Sequence, residues 1–471
     1  MKQNKGDEVN KDFKSKFLSD AEIAQQKLDT VSSSFCLAKW KQVSLHLTNG
    51  MNNSCYHPPL HKIPVEELTG NPSKLHNTDY KKEQRKKMIA GERPEECFYC
   101  WAMEDAGKLS DRHYRSGEPW AIEKFDKVVS EPLADTNPAY VEVNFNSACN
   151  LECSYCSPQF SSSWMRQAKE FGAYPTRQPH NDPKYFQGDR RPIPHSEYNP
   201  YVEAFWKWWP ELYPELKHFR MTGGEPLMDK NTYRVFDYVL ENPKPDLHLN
   251  VTSNFSVEEK LWTKYLDYVK RICNDGENVE HFMQYVSVDG WGKQAEYIRA
   301  GLDFNLMWER VEQFLTEVPY RSSLTFIVTM NNLSVTSLDK LMEGILDLRK
   351  RHSETYQRIW FDTPVLHTPK WQSMKLLPDM YVFKLKQLLT WMSDNIETEN
   401  TRFKGFKDYE INRLDRDISW MQDCTGINLT ADKADFYRFF SEYDQRHGTN
   451  FLEVFPEMKS FWNECQYWSK Q

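Results

Sequence analysis

Two adjoining stretches, Ala139-Tyr-Val-Glu-Val-Asn-Phe145 and Cys149-Asn-Leu-Glu-Cys153-Ser-Tyr-Cys156, decide how the chain is read. The first alternates apolar and polar residues with the two-residue period of a half-buried strand. The second is a cysteine-bearing loop that follows it directly. Further strand-like runs occur at Lys217 to Thr222, Leu247 to Ser253, Phe282 to Val288, Ser323 to Met330 and Arg358 to Leu366. Helical stretches lie between them. Leu227 to Leu240 carries Val235, Phe236, Val239 and Leu240 on one face. Ser256 to Ile272 opens with Ser256 and Glu259 at capping-box spacing. Asp303 to Val318 and Ser334 to His352 show the same helical period. Strands alternating with helices in this way predict parallel βα units. Six units instead of eight predict a partial (β/α)6 TIM-like barrel, an α/β fold whose lateral opening can admit a bulky substrate.

Around that segment the composition sets limits. The chain has 471 residues, a net charge of −8 and 39% hydrophobic residues. Its 27 Phe, 24 Tyr and 16 Trp supply enough area for a substantial core. No basic block marks a nucleic-acid footprint. The longest apolar strand, Leu324 to Met330, is far too short for a membrane span. The first residues, MKQNKGDEVNKDFKSKF, lack the apolar core of a secretory signal, so a cytoplasmic location is expected. The expected divisions are a polar leader over 1–30, a cysteine-rich module over 31–110 and a barrel over 138–370. An insertion at 170–214 and a mainly helical region at 371–471 complete them.

Seven of the ten cysteines fall in two sets, Cys36, Cys55, Cys97, Cys100 and Cys149, Cys153, Cys156. Cys273, Cys424 and Cys465 stand alone and read as ordinary thiols. In a reducing compartment, clustered thiols read as metal or cluster ligands before they read as bridges. Three thiolates on one short loop can hold three corners of a [4Fe–4S] cube and leave the fourth iron open. A zinc ion borrowing a fourth ligand, or plain buried thiols, are the alternatives. After the second strand comes Thr222-Gly223-Gly224-Glu225-Pro226. Its glycines permit a tight bend and close backbone approach, and the Glu225 carboxylate is placed to receive an ammonium group. Pro226 suits the first turn of the next helix, where an amide hydrogen is not needed.

These motifs together resemble the radical S-adenosylmethionine enzymes. The resemblance implies that Cys149, Cys153 and Cys156 hold the cluster, that Tyr155 lies against the adenine and that Gly223, Gly224 and Glu225 meet the methionine amine. It further implies that Ser287 or Asp289 reaches the ribose and that Arg299 meets the methionine carboxylate. Asn254 and Asn331 sit at equivalent strand ends and complete the expected cofactor-binding set. All of these follow C-terminal strand ends, the face that carries chemistry in parallel βα barrels.

The N-terminal cysteines frame an Asn49-Gly50 hairpin signal and end in the C-x2-C of Cys97 and Cys100. Four cysteines can saturate either tetrahedral zinc or a second [4Fe–4S] cube. Phe35 to Trp40, Gly91 to Cys100 and the tail Phe440 to Glu453 resemble SPASM and twitch auxiliary-cluster modules. Here the cysteine module precedes the barrel and has four cysteines where a full SPASM domain has seven. His46, His57, His61 and His76 lie near this set and read mainly as satisfied histidines. The Trp206, Trp208, Trp209 stripe reads as core.

The expected activity is reductive cleavage of S-adenosylmethionine to a 5′-deoxyadenosyl radical that takes hydrogen from a peptide or protein side chain. The expected electron donor is flavodoxin- or ferredoxin-like. A small metabolite or sugar substrate, or a non-catalytic metal-stabilised binding protein, are the competing readings.

Overall fold

The computed structural model describes residues 19–274, 277–423 and 426–471. Cys424 and the start of the polar leader lie outside the described residues. The strands in chain order are β1 (Gln42–His46), β2 (Met51–Asn53), β3 (His61–Lys62), β4 (Tyr140–Asn144), β5 (Glu152–Cys153), β6 (His218–Thr222), β7 (Lys244–Ser253), β8 (Val279–Ser287), β9 (Arg299–Ala300), β10 (Ser322–Ile327) and β11 (Ile359–Asp362). All six strands expected from the sequence are present, and the fold is α/β with parallel strands and a helical C-terminal region. The chain divides into two compact units, residues 1–144 with 198–219, and residues 145–197 with 220–471.

In the first unit β1 and β2 pair antiparallel, with His46 opposite Met51. Gly50 turns this hairpin at φ +64°, and a Cβ there would fall 1.9 Å from the Tyr201 ring. Both facts exclude a larger residue at that position. β3 extends the ribbon antiparallel to β2, while β1 pairs parallel with β4 from Gln42↔Tyr140 to His46↔Asn144. The helix Pro200–Leu212 places Trp208 and Trp209 in the core, as expected, together with Phe205, whereas Trp206 is only partly buried. Burial of such rings stabilises by roughly 1.5–3 kcal/mol or more apiece. The described end of the polar stretch 1–30 is helical. Asp20–Asp29 is a helix, capped by Ser19 and Glu22, that buries Ala21, Ala24 and Leu28.

In the second unit β7–β8, β8–β10 and β10–β11 are parallel pairs. The crossover helices are Glu259–Asn274, Phe304–Glu317 and Leu338–His352, and Lys230–Glu241 follows β6. The Ser256–Glu259 capping box is not formed. The Asn254 side chain takes the Ser256 amide at 2.7 Å, and the Ser256 hydroxyl accepts from Asp303 N. Glu259 pairs with Arg310, and the helix starts at Glu259, two residues later than the capping reading required. Local spacing lost to a tertiary partner. The C-terminal helices include Asp379–Asp394, Asp408–Gln422, Thr430–His447 and Lys459–Ser469. A buried bidentate pair, Arg349 with Glu410, ties Asp408–Gln422 to the helix after β10. Among the described residues no helix is long and apolar enough to cross a membrane.

Candidate functional site

The three-cysteine loop is fixed from several directions inside the second unit. Its start is held by the turn after β6. Gly224 N donates to Asn146 O at 3.2 Å and Glu225 N to Ala148 O at 2.6 Å. A Cβ on Gly224 would fall 2.2 Å from Ala148 O, so the close approach requires glycine here. Gly223 adopts φ +115°, a region L side chains avoid. The two motifs recognised separately in sequence are therefore one assembly.

The middle of the loop is held by β5, whose Cys153 pairs antiparallel with Arg299 of β9. The Arg299 guanidinium donates to Cys153 Sγ at 3.6 Å and to the Tyr155 hydroxyl at 2.6 Å. It also forms a buried ion pair with Asp289, Nε to Oδ2 at 2.8 Å. Tyr155 donates in turn to Asp289 Oδ2 at 2.7 Å, and Thr329 N donates to Oδ1. Burial resists ionisation of the Tyr155 hydroxyl and sends its pKa well up. Arg299, by contrast, is held firmly charged despite burial, chiefly by Asp289. Residues expected to touch the cofactor individually thus form one network under the loop.

Glu225 is 2% exposed. Its carboxylate accepts from Leu227 N at 3.0 Å and from Asn254 N at 2.8 Å. Burial pushes its pKa up to about 7, and the amides offset this only in part. Among the described residues the groups that act on it are amides and the Ser253 hydroxyl, and no cation is among them. An ammonium group fits that deficit. Asn254 also donates to the Asn150 side chain, linking the end of β7 to the cysteine loop. Asn331 is buried and committed to its own turn, accepting from Leu333 N and Ser334 N and donating to Thr329 O. Ser287 ends β8 opposite Ile327.

The thiols sense one another. Burial raises the pKa of Cys149, and the charges of Cys153 and Cys156 raise it further. Burial pushes Cys156 to about 12, again with a contribution from Cys153. Thiols held protonated in this way ionise only when a cation takes the proton's place, as metal ligation does.

The first unit assembles the other cysteine set. Cys36, Cys55, Cys97 and Cys100 all line one small, partly open pocket, with about 20 Å³ of water-accessible space. Cys97 and Cys100 belong to the surrounding core with Trp40, Met88 and Trp101. Burial pushes Cys55 to about 11 and Cys97 and Cys100 to about 12, and Cys36 adds to each shift. A single zinc ion binds sulfur at roughly 2.3 Å and would draw four sulfurs together with little space left. Four cysteines lining one pocket suit either such an ion or a cubane. Among the described residues, no group of three or more His, Cys, Asp or Glu side chains closes on one ion-sized point in either unit. The nearby histidines have partners of their own: His57 meets Asp111, His61 meets Thr78 and His76 meets Trp40 O. Cys273 and Cys465 are buried away from both sets, as ordinary thiols.

Some supporting residues carry no sequence signal. The Ser154 hydroxyl donates to Gln372, which donates back to Ser154 O. Trp164 Nε1 donates to Cys153 O at 3.0 Å. His447 meets the Glu152 carboxylate at 3.0 Å, and the Tyr443 hydroxyl donates to Glu152 O and Tyr297 O. The tail singled out in sequence therefore braces β5 and β9. The Ser154–Gln372, Glu152–His447 and Glu152–Tyr443 pairings each span more than 200 residues of chain, beyond any local pattern.

No family model matches the chain, and no curated protein matches it. Similar solved structures include anSMEcpe with bound AdoMet, at 14% identity and TM-score 0.35 over 57% of this chain and 59% of that one. Another holds anSMEcpe with bound AdoMet and Kp18Cys peptide, at 15% identity and TM-score 0.34 over 57% and 61%. Streptococcus suis SuiB bound to precursor peptide SuiA matches at 10% identity and TM-score 0.35 over 79% and 71%. The chain spans less than two thirds of the anSMEcpe structures.

Proposed function

We propose that this chain is a radical S-adenosylmethionine enzyme that takes a hydrogen atom from a peptide or protein side chain. One observation carries the reading. The Gly223-Gly224-Glu225 turn docks by two backbone hydrogen bonds on the loop bearing Cys149, Cys153 and Cys156, and leaves there a buried carboxylate that no cation among the described residues pairs with. When bound, a [4Fe–4S] group with one open iron supplies the electron that splits the sulfonium of S-adenosylmethionine.

The residues divide the remaining work. Cys149, Cys153 and Cys156 hold the cluster. Glu225 receives the methionine ammonium, which offsets the cost of its own burial. Gly223 and Gly224 keep that carboxylate close to the loop. Asp289 and Ser287 border the ribose. Arg299, bonded to Cys153 Sγ, Tyr155 and Asp289, orients the loop and places positive charge beside a ligand sulfur. The second set, Cys36, Cys55, Cys97 and Cys100, holds an auxiliary [4Fe–4S] cluster. The divisions 31–110, 138–370 and 371–471 serve as cluster module, partial barrel and helical brace. The peptide class follows from the resemblance to twitch and SPASM enzymes.

Anaerobic reconstitution with iron, sulfide and zinc counted, then dithionite reduction with S-adenosylmethionine, tests the proposal. The expected result is two clusters per chain and release of 5′-deoxyadenosine. A fully metallated chain that never cleaves the cofactor would make it a stabilised binding protein instead.

A further inference from the structure

The cavity of the four N-terminal cysteines has a buried cation in its wall. Lys39 is 2% exposed and lines the cavity with Cys36, Cys55, Cys97 and Cys100. Its ammonium pairs with Glu96, whose other oxygen accepts from Tyr80 at 2.8 Å. The other charged groups in the wall are engaged elsewhere. Arg112 is held by Glu104 and Phe35 O, Arg115 by Glu118, and Asp111 by His57. A single carboxylate, Glu96, pairs with Lys39, and the pocket that Lys39 lines is shared with all four thiols.

We propose that Lys39 sets the reduction potential of the group these four cysteines hold, favouring its reduced state. The inference rests on the reading of that group as a [4Fe–4S] cluster. One-electron reduction adds one negative charge to a centre already made negative by four thiolates. A fixed cation in a water-excluded wall stabilises that added charge, because the local dielectric is low. Lys39 acts as a positioning charge and forms no bond to the cluster. Glu96 works against it by partly neutralising the ammonium.

The full chain, reconstituted anaerobically, is titrated with dithionite and followed by electron paramagnetic resonance. The signal that S-adenosylmethionine leaves unchanged is assigned to the four-cysteine centre. Lys39→Met should make this centre harder to reduce, by about tenfold in the reduced-to-oxidised ratio at fixed potential, or about 59 mV for one electron. Lys39→Arg should keep the wild-type value, and Glu96→Gln should move it the opposite way. Glu96→Gln also reports if the Met variant fails to load iron. Unchanged midpoints in variants of full iron content would overturn the role of Lys39. Zinc in place of iron in the wild-type chain would overturn the cluster reading itself, and the inference with it.

Discussion

The two cysteine sites are built in opposite ways. In the second unit the three sulfurs lie within eight consecutive residues, and hydrogen bonds from Ser162, Arg299 and Gln372 reach that one loop. In the first unit the four sulfurs come from widely separated stretches, and a packed core brings them to one cavity. A loop site depends on its hydrogen-bonded supports. A core site depends on the packing around it. The charges differ as well: Arg299 donates directly to a sulfur, whereas Lys39 bonds Glu96 and acts on sulfur through the field.

The strongest way to separate the two is to empty one of them. Replacing Cys149, Cys153 and Cys156 together with Ala should bring 5′-deoxyadenosine formation below detection while iron at the four-cysteine site is retained. Loss of all iron would show that the sites are not independent. Cys97→Ala with Cys100→Ala should remove about half of the iron, checked by elemental analysis, and soften the first unit because both side chains are core residues.

Asp289→Asn strikes the loop's supports without touching a cysteine. It leaves the Arg299 charge buried without its carboxylate, which typically costs about 3–5 kcal/mol. Chemical denaturation measures that loss, and a change near zero would mean that Cys153 and Tyr155 hold Arg299 unaided. Gly224→Ala should cost about 1–3 kcal/mol, since the added methyl meets the Ala148 carbonyl and the turn must separate from the loop. S-adenosylmethionine affinity should fall more than global stability does.

A further effect is one of pH, and it arises in both units. Burial lowers His46 in the first unit and His180 and His281 in the second to about 4. In the unfolded chain these rings take up protons near pH 6.5, and in the folded chain only near pH 4. Their contribution is complete above about pH 6.5 and is lost as pH falls towards 4. Denaturation midpoints measured between pH 7 and pH 4 should decline for both units; a flat profile would show that the rings find other partners on protonation.

Legibility followed sequence distance. The six strands were readable because their apolar runs are short, regular and bounded by turns. The Asn49-Gly50 hairpin was readable because Gly50 needs a left-handed backbone there. The Ser256–Glu259 box misled because both side chains had stronger distant partners, Asp303 and Arg310. Asp20–Asp29 was hidden by its polar face, although its three buried residues follow helical spacing. At the candidate site the motifs could be picked out along the chain, but the bonds between them could not. Asp289, Arg299 and Tyr155 were each assigned separately to the cofactor, yet they bond to one another.

By itself the sequence determined which residue types stand at each strand end and which thiols are close along the chain, since both follow from spacing and backbone period. Tertiary structure alone decided that Gly224 backs onto Ala148, that Cys36, Cys55, Cys97 and Cys100 share one cavity, and that Lys39 is buried among them. Such contacts arise when distant segments exclude water together, and the free energy of that exclusion belongs to no short stretch of chain.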